Sequence, residues 1–483
     1  MVIDALKYQI LQQFGFVPTE EQGQALDAFA RFLTDRDPDA VMILRGSAGT
    51  GKTSLSGAIV RTLKAIRQKV MLLAPTGRAA KVFSLNSGCP AYTIHRRIYR
   101  EKSFAGVDGQ FNLNDNLFTD TLFMVDEASM ISNLGLGGGK FGSGCLLDDL
   151  VRFVYQGHND RLMLIGDKAQ LPPVGEEESP ALNRMMLEGY GLKVYECDLN
   201  EVLRQSQESG ILYNATVIRQ MITHDDITQL PLIRFKGFAD IVMMPGNELV
   251  ESLANSYYRV GQDETMVITR SNKRANIYNN GIRNMVLDRE EELSCGDMLM
   301  IVKNNYFWTE KERNEAKEAL NAIPPFLANG DRAKVLRVSR HMELYGFRFA
   351  TLLLQFPDYD NYEMSVTALL DTLQSEAPAL THEQQEQLFH GVEEDYQDVP
   401  LKADRMKAIR GDQYFNALQV KYAYAITCHK AQGGQWEHVY VDQGYMTDDM
   451  LTPDYIHWLY TAFTRAKDKL FLVNWPKTQT EQA

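Results

Sequence analysis

The sequence predicts an α/β protein with two domains, each a parallel β-sheet flanked by helices, and with two smaller insertions. Three observations support this prediction. Short apolar runs alternate with helical patterns in the first 200 residues, a second such series starts near Glu264, and a segment of different character interrupts that second series. The chain of 483 residues is also too long for one core, because single cores stop growing at roughly 250–300 residues.

Four apolar runs define the first series. They cover residues 40–44, 70–74, 121–125 and 161–165, with helical patterns at residues 52–67 and 77–86. Short apolar runs bounded by polar or glycine residues are typical of strands buried in a parallel sheet. We therefore expect a first domain at residues 1–95 and 121–200, a hairpin insertion at residues 96–120 and an irregular glycine-rich loop at residues 135–144.

The second series has strands predicted at residues 265–269, 437–441 and 469–473, and helices predicted at residues 272–286 and 453–464. Residues 331–338 and 348–356 alternate between apolar and polar side chains, as strands with one exposed face do. We therefore expect a second domain at residues 201–330 and 405–483, with a β-rich subdomain inserted at residues 331–404.

Composition is that of an ordinary soluble protein, with 45% hydrophobic and 23% charged residues. No run approaches the ~20 apolar residues that span a bilayer. The five cysteines form no CxxC pair, which argues against a disulfide framework or a zinc site and favours the cytoplasm. The net charge of −13 does not decide whether nucleic acid is a partner, since local fields decide where phosphates bind. The acidic segment 376–398 and the basic cluster at residues 96–102 are both more typical of solvated faces.

A glycine-rich motif follows the first predicted strand. Residues 46–53 (GSAGTGKT) match the GxxxxGK[ST] pattern of a phosphate-binding loop between a strand and a helix. Glycines let successive backbone N–H groups turn toward phosphates at the start of a helix. Lys52 would bring a positive charge to the β- and γ-phosphates, and the Thr53 hydroxyl would ligate Mg²⁺. The predicted nucleotide contacts in this loop are Gly46, Ser47, Ala48, Gly49, Thr50, Gly51, Lys52, Thr53 and Ser54.

Two carboxylates follow the strand predicted at residues 121–125. Asp126 is the expected Mg²⁺ ligand, and Glu127 is placed to orient and deprotonate the attacking water. Gln170 follows the next predicted strand and is the candidate for a γ-phosphate contact. Phosphoryl transfer also needs cations on the far side of the γ-phosphate, and Arg204 and Arg465 are the candidates. Each of these side chains could instead belong to an ordinary surface.

The motifs, taken in order, resemble those of superfamily 1 helicases of the RecD, Dda and Pif type over most of the chain. In the first half, the resemblance rests on residues 19–22 (TEEQ), 74–81 (APTGRAAK), 93–96 (TIHR), 126–129 (DEAS) and 166–173 (GDKAQLPP), together with the phosphate-binding loop. In the second half, it rests on residues 329–331 (NGD), 425–433 (AITCHKAQG) and 460–466 (YTAFTRA). The sequence departs from the pattern after Asp331, where a glycine is common.

The resemblance implies two RecA-like domains, with an SH3-like subdomain inserted in the second. It implies an ATP-dependent DNA helicase that uses Mg²⁺ and moves 5′ to 3′ on single-stranded DNA. It assigns adenine recognition to Gln22, γ-phosphate contacts to Gln170, Arg204 and Arg465, and a further nucleotide contact to Gly433. The expected DNA contacts are Pro75, Thr76, Gly77, Thr93, His95, Asn329, Thr427, His429 and Lys430.

The expected partners are single-stranded DNA and single-strand/double-strand junctions, with replication or recombination proteins as further candidates, and we expect a monomer that does not bind membranes. Residues 100–119 have the length of a pin that splits the duplex, although a plain surface loop fits equally well. An RNA helicase, a translocase that does not unwind, and the motor subunit of a helicase–nuclease complex remain alternatives. A binding subunit without activity is disfavoured by the intact motif residues. The polar DNA-contact candidates could also serve as helix caps.

Overall fold

The structure of the protein is a computed structural model that describes residues 2–104, 109–135, 142–201, 208–224, 227–316, 323–324 and 326–481, without the side chains of residues 2 and 101–111. Its strands form a six-stranded parallel sheet, a five-stranded parallel sheet, a closed five-stranded barrel and a two-stranded ribbon. This confirms the predicted fold class: the ribbon corresponds to the inserted hairpin, and the closed barrel resembles the expected β-rich SH3-like subdomain. None of the helices within the described residues is long and apolar enough to cross a membrane.

The first domain contains the six-stranded sheet, in the order β3-β2-β6-β7-β1-β8, and the ribbon β4-β5. Its strands are β1 (Ala40–Gly46), β2 (Lys69–Ala74), β3 (Ala91–Thr93), β4 (Tyr99–Phe104), β5 (Gly109–Leu113), β6 (Thr121–Val125), β7 (Arg161–Gly166) and β8 (Lys193–Leu199). Its helices are α1 (Val2–Phe14), α2 (Glu20–Thr34), α3 (Lys52–Ala65), α4 (Gly77–Ser87), α5 (Ile94–Ile98), α6 (Leu146–Tyr155) and α7 (Arg184–Gly189).

Helices cover both faces of this sheet, because the apolar side chains of each strand point alternately to one face and the other. Met42 and Leu44 of β1 pack in a core with α1, α2 and α3, whereas Val41 and Ile43 pack in a second core with α5 and α6. Successive side chains of a strand point to opposite faces, so an uninterrupted apolar run predicts burial on both sides. The first domain therefore has a three-layer arrangement with the carboxyl ends of the strands at one edge.

The second domain and its insertion follow in chain order. The second domain begins with α8 (Gly210–Thr223), β9 (Ile241–Met244), α9 (Leu249–Arg259), β10 (Thr265–Thr269) and α10 (Asn272–Gly281). The insertion contains β11 (Met298–Ile301), α11 (Phe307–Glu315), β12 (Arg332–Leu344), β13 (Phe347–Phe356), β14 (Tyr362–Leu369), α12 (His382–Asp395), α13 (Lys402–Arg410) and β15 (Leu418–Tyr422). The chain returns with β16 (Ala425–Thr427), α14 (Cys428–Ala431), β17 (Trp436–Asp442), α15 (Pro453–Phe463) and β18 (Ala466–Val473), and the sheet order is β16-β10-β17-β18-β9.

The barrel is larger than the inserted segment expected at residues 331–404. Strand β11 pairs with both β12 and β15, so the barrel closes with two strands that lie outside that segment. These two strands are short and distant in sequence, and only their mutual pairing reveals them. The acidic segment forms α12, which buries Leu388, Phe389 and Val392 against the barrel and turns its charged face to solvent.

Candidate active site

The phosphate-binding loop connects β1 to α3, as the sequence predicts. Gly49 and Gly51 have φ angles of +78° and +80°, which L-residues with side chains rarely adopt. At Gly46, a Cβ atom would lie 2.8 Å from Cγ of Lys52 and 3.0 Å from Cβ of Leu199. Gly51 precedes α3 and supplies no side-chain cap, so the first amides of this helix are left to bind an anion.

Two polar side chains brace the loop. The Nζ atom of Lys52 donates to the carbonyl oxygens of Gly46 and Ser47, the latter at 3.1 Å. Gln22 is buried; its Nε2 donates to the carbonyl oxygen of Thr50 at 2.9 Å, and its Oε1 accepts from the Thr19 amide at 3.0 Å. Gln22 thus supports the loop with both ends of its carboxamide, and its adenine contact stays a prediction.

Asp126 and Glu127 lie at the carboxyl end of β6, beside the loop. Burial and the negative charge of Glu127 raise the pKa of Asp126 to about 7, and the charge of Lys52 opposes this shift. Oδ1 of Asp126 accepts from the Glu127 amide at 2.9 Å. Glu127 has a left-handed backbone with φ of +52°, a costly conformation that persists where the surrounding structure demands it, often at functional sites.

The donor set suits a magnesium ion. The Asp126 carboxylate and the Thr53 hydroxyl are hard oxygen ligands, and they follow strands β6 and β1, whose carboxyl ends lie at the same edge of the parallel sheet. A divalent cation would also offset the repulsion between the two neighbouring carboxylates. Asp126 and Thr53 are therefore the residues that would hold the ion.

The loop after β7 carries Gln170. Its side chain is buried, and its Oε1 has no hydrogen-bond partner among the described residues. A buried polar atom without a partner costs free energy, and such atoms are rare in folded proteins. Asp167 of the same loop accepts from the Ala169 amide at 3.0 Å. This bond orders the backbone of the loop, whereas Oε1 of Gln170 accepts no bond from the described residues.

The second domain contacts this part of the first domain directly. The Tyr460 hydroxyl accepts from the Ala48 amide at 3.0 Å and donates to Oδ2 of Asp167 at 2.6 Å. Thr461 Oγ1 accepts from the Leu171 amide at 2.8 Å, and Gln432 donates to the Leu171 carbonyl oxygen at 2.8 Å. The helix that precedes Arg465 therefore lies against the phosphate-binding loop and the Gln170 loop.

Arg465 itself is bound within its own domain. It is 3% exposed, and its guanidinium donates to the carbonyl oxygens of Thr461 and Gly434 at 3.0 and 3.2 Å and to the Thr464 hydroxyl at 3.1 Å. The predicted contact with a γ-phosphate would require these bonds to exchange. Arg204, the other predicted cation, lies outside the described residues.

Gly433 lies against α4. A Cβ atom on Gly433 would lie 3.0 Å from Cβ of Ala79 and 3.5 Å from Oγ1 of Thr76, and its φ is +72°. Gly77 makes a similar approach to the insertion, since its Cβ would lie 2.6 Å from Cβ of Ala328. The two glycines therefore allow the domains to meet closely, and a nucleotide contact of Gly433 stays a prediction.

The predicted DNA contacts have different surroundings. Thr76 and Thr93 cap α4 and α5 by accepting from the amides of Ala79 and Arg96, as the alternative interpretation of these residues allowed. Burial lowers the pKa of His95 to about 4, so its imidazole is neutral at pH 7. The other predicted contacts divide into exposed and half-buried residues: Asn329 and His429 are exposed, and Pro75, Gly77, Thr427 and Lys430 are half-buried.

Two features of the interface were not predicted. Arg219 of α8 donates to the Ser47 hydroxyl at 2.6 Å, and nothing in its sequence surroundings marks it. Arg78 lies over the Trp436 ring, 4.3 Å from its centroid, and donates to the Gln435 carbonyl oxygen at 3.2 Å. Arg78 lies within the motif at residues 74–81, and this was the available signal for the second contact.

Comparisons with known proteins agree with this description. A family model of an AAA domain matches residues 19–227, and a model of the UvrD-like helicase C-terminal domain matches residues 422–473. The chain is 34% identical over 171 residues to an uncharacterized protein of Methanocaldococcus jannaschii, covering 33% of this chain and 14% of that protein. It is 30% identical over 157 residues to the ATP-dependent RecD2 DNA helicase of Deinococcus radiodurans, covering 32% of this chain and 18% of that protein. The chain thus spans less than a fifth of the length of both relatives.

Among the solved structures that match over nearly their whole length is a Pif1 helicase from Bacteroides in complex with ADP-AlF3 and ssDNA. Its sequence identity to this chain is 14% and the TM-score is 0.48, and the match covers 97% of this chain and 95% of that chain. The Pif1 helicase from Candida albicans shows 17% identity, a TM-score of 0.42 and 97% coverage of both chains.

The fold and the motifs define a P-loop protein with two RecA-like domains. Both matched family models lie at the positions that the motifs predict. An AAA domain at residues 19–227 and a UvrD-like helicase C-terminal domain at residues 422–473 agree with the resemblance of the motifs to superfamily 1 helicases of the RecD and Pif type.

Proposed function

We propose that the chain hydrolyses ATP between its two RecA-like domains and uses this reaction to move 5′ to 3′ along single-stranded DNA and to separate duplexes. The observation that carries the proposal is the contact of Tyr460, from the second domain, with the Ala48 amide of the phosphate-binding loop. A nucleotide bound in this loop would therefore lie within reach of both domains.

The chemical roles follow from the positions of the side chains. The glycine-rich loop and the first amides of α3 bind the phosphates, and Lys52 moves from the carbonyl oxygens of Gly46 and Ser47 to the negatively charged phosphates. Glu127 accepts a proton from the attacking water. A magnesium ion held by Thr53 and Asp126 would neutralise charge on the phosphate oxygens.

Arg465 supplies the cation from the opposite domain. Its guanidinium now bonds to carbonyl oxygens of Thr461 and Gly434, and we infer that it exchanges these bonds for the γ-phosphate when the cleft closes. Contacts with the γ-phosphate from both domains then stabilise the closed cleft, and loss of the γ-phosphate removes this stabilisation. Gln170, whose Oε1 is buried and accepts no hydrogen bond from any described residue, is suited to orient the water or contact the γ-phosphate.

Single-stranded DNA would cross both domains at the edge where α4 meets the second domain. Amides at the start of α4 and α5, with the exposed residues Asn329 and His429, are suited to phosphate contacts. Such contacts bind without sequence preference. The name of the Deinococcus relative, an ATP-dependent DNA helicase, supports DNA as the polymer.

The proposal is tested by measuring ATP turnover with no nucleic acid, with single-stranded DNA and with single-stranded RNA of the same sequence. We expect DNA to stimulate turnover at least about tenfold, as a motor coupled to its track requires. Stimulation by RNA alone would indicate an RNA motor instead of a DNA helicase. The absence of ATP turnover under all three conditions would contradict the proposed ATPase activity. Strand displacement on duplexes with a 5′ or a 3′ tail then separates a helicase from a translocase.

A further inference from the structure

Two neighbouring residues of the phosphate-binding loop are held from the second domain by two different helices. Nη1 of Arg219 in α8 donates to Oγ of Ser47 at 2.6 Å. The hydroxyl of Tyr460 in α15 accepts from the amide of Ala48 at 3.0 Å. Ser47 and Ala48 lie just after the end of β1, so these contacts fix the first turn of the loop.

Helix α8 comes soon after the last strand of the first domain in sequence, but it packs in the second domain. Its residues Ile211, Ala215 and Ile218 share one hydrophobic core with Leu459 of α15 and with the strands of the second sheet. The two helices also pack against each other. Arg219 and Tyr460 therefore lie on two helices that pack against each other in one core, so a movement of the second domain relative to the first would change both contacts together.

The guanidinium of Arg219 brings a positive charge close to the phosphate-binding loop. Its contacts within the described residues are the Ser47 hydroxyl, Oδ1 of Asn200 at 3.5 Å and the carbonyl oxygen of Asn200 at 3.4 Å, none of them a carboxylate. Arg219 is also close enough to Tyr460 to influence the pKa of its hydroxyl. A cation without a described acidic partner attracts the negative charge of a bound polyphosphate.

The Tyr460 hydroxyl joins the phosphate-binding loop to the loop that carries Gln170. It is 1% exposed, it donates to Oδ2 of Asp167 at 2.6 Å, and it accepts from the Ala48 amide. Burial and the Asp167 carboxylate raise its pKa well above the ordinary value, so the hydroxyl stays protonated at neutral pH and can donate to Asp167.

We propose that Arg219 and Tyr460 are positioning residues through which the second domain sets the conformation of Ser47 and Ala48, so that nucleotide affinity and turnover depend on the distance between the domains. The proposal rests on the nucleotide site proposed above and adds two residues to it. Arg219 acts through the Ser47 hydroxyl, and Tyr460 acts through the Ala48 amide and Asp167.

A double-mutant cycle tests the Arg219 contact. The variants are Arg219→Ala, Ser47→Ala, the combination of both, and Arg219→Lys, with Arg259→Ala of α9 as an exposed control. Fluorescent ADP binding and ATP turnover are measured for each. Loss of a hydrogen bond to a charged group is expected to weaken ADP binding about tenfold or more, and Arg219→Lys should recover part of the loss.

The outcomes of the cycle separate the alternatives. If Arg219 acts through Ser47, the combined variant is no more than about twofold weaker than Arg219→Ala, because the second substitution removes a partner already lost. Losses that multiply in the combined variant, or an Arg219→Ala protein that binds and turns over as the wild type does, would overturn this role. The binding measurement decides the question even if the wild-type chain hydrolyses no ATP, which would refute the proposed function alone.

Tyr460→Phe tests the second contact, and Tyr455→Phe is its matched control. Tyr455 lies on the same helix, is also buried, and bonds through its hydroxyl to Oε1 of Gln443 at 2.5 Å within the second domain. Both variants lose one buried hydroxyl, but only Tyr460→Phe loses a bond between domains. We expect kcat to fall at least about tenfold for Tyr460→Phe and less than about twofold for Tyr455→Phe. Equal effects of the two variants would overturn the role of Tyr460.

Discussion

Replacement of Glu127 by glutamine should stop hydrolysis without disturbing the nucleotide site. Glutamine has nearly the same shape, and the Asp126 carboxylate accepts from the backbone amide of residue 127, which the substitution retains. The left-handed backbone at this residue is no worse for glutamine. We therefore expect the free energy of unfolding to change by less than about 1 kcal/mol.

The magnitude of the kinetic effect follows from the role of the carboxylate. Loss of a general base lowers the rate about 10²- to 10⁴-fold, which corresponds to about 3–5 kcal/mol in the activation free energy. The negative charge of Glu127 is one cause of the raised pKa of Asp126, which is about 7. Its removal should lower the pKa of Asp126, so more of Asp126 is ionised at pH 7 and the metal site is retained.

Single-turnover hydrolysis with enzyme in excess measures the chemical step, and fluorescent nucleotide binding measures affinity in parallel. We expect a single-turnover rate at least about a hundredfold lower, with nucleotide affinity within about threefold of the wild type. A Glu127→Gln protein that keeps more than a tenth of the wild-type rate would refute the assignment of the base. Loss of nucleotide binding would show that Glu127 has a structural role instead.

Further changes probe the other parts of the site. Lys52→Ala should abolish ATP turnover while single-stranded DNA binding persists in a fluorescence anisotropy assay, and retained turnover would contradict the proposed site. Arg465→Ala should lower kcat far more than it weakens nucleotide binding, whereas equal losses would argue against a transition-state role. Strand displacement should require a 5′ tail, and a preference for a 3′ tail in a gel assay would reverse the proposed polarity. Burial raises the pKa of Asp331 to about 7, so the wild type loses stability as the pH rises from about 4 to 7. Asp331→Asn should therefore stabilise the protein at pH 8 by at most about 4 kcal/mol and much less at pH 5. Equal unfolding free energies of variant and wild type at pH 8 would contradict this.

The strands at the centre of both sheets were predictable because their side chains are buried on both faces. Strands β1, β2, β6 and β7 lie within two residues of the predicted runs, and β10, β17 and β18 lie within three. Strand β8 was not predicted, since it lies at the edge of its sheet and most of its residues are partly exposed. The barrel strands β11 and β15 were missed for another reason: they are short, and they pair only after a long separation in sequence.

The phosphate-binding loop and its carboxylates were predictable because they are local motifs placed at the ends of predicted strands. The cross-domain geometry was not. Arg219 is a single arginine on a helix, and only the packing of α8 against α15 brings it to Ser47. The side-chain direction of Arg465 likewise depends on competing acceptors within its own domain, which a sequence motif does not reveal.

The distance between the two domains is the quantity that the proposed motor must change. It can be followed by energy transfer between a dye on Cys295, which is exposed in the second half of the chain, and a dye on Lys64→Cys in α3, with the other cysteines replaced by serine. We expect the transfer efficiency to rise when a non-hydrolysable ATP analogue binds, to stay high in Glu127→Gln with ATP, and to return to its starting value after hydrolysis. Efficient ATP turnover with no change in transfer at any stage would contradict a nucleotide shared between the two domains.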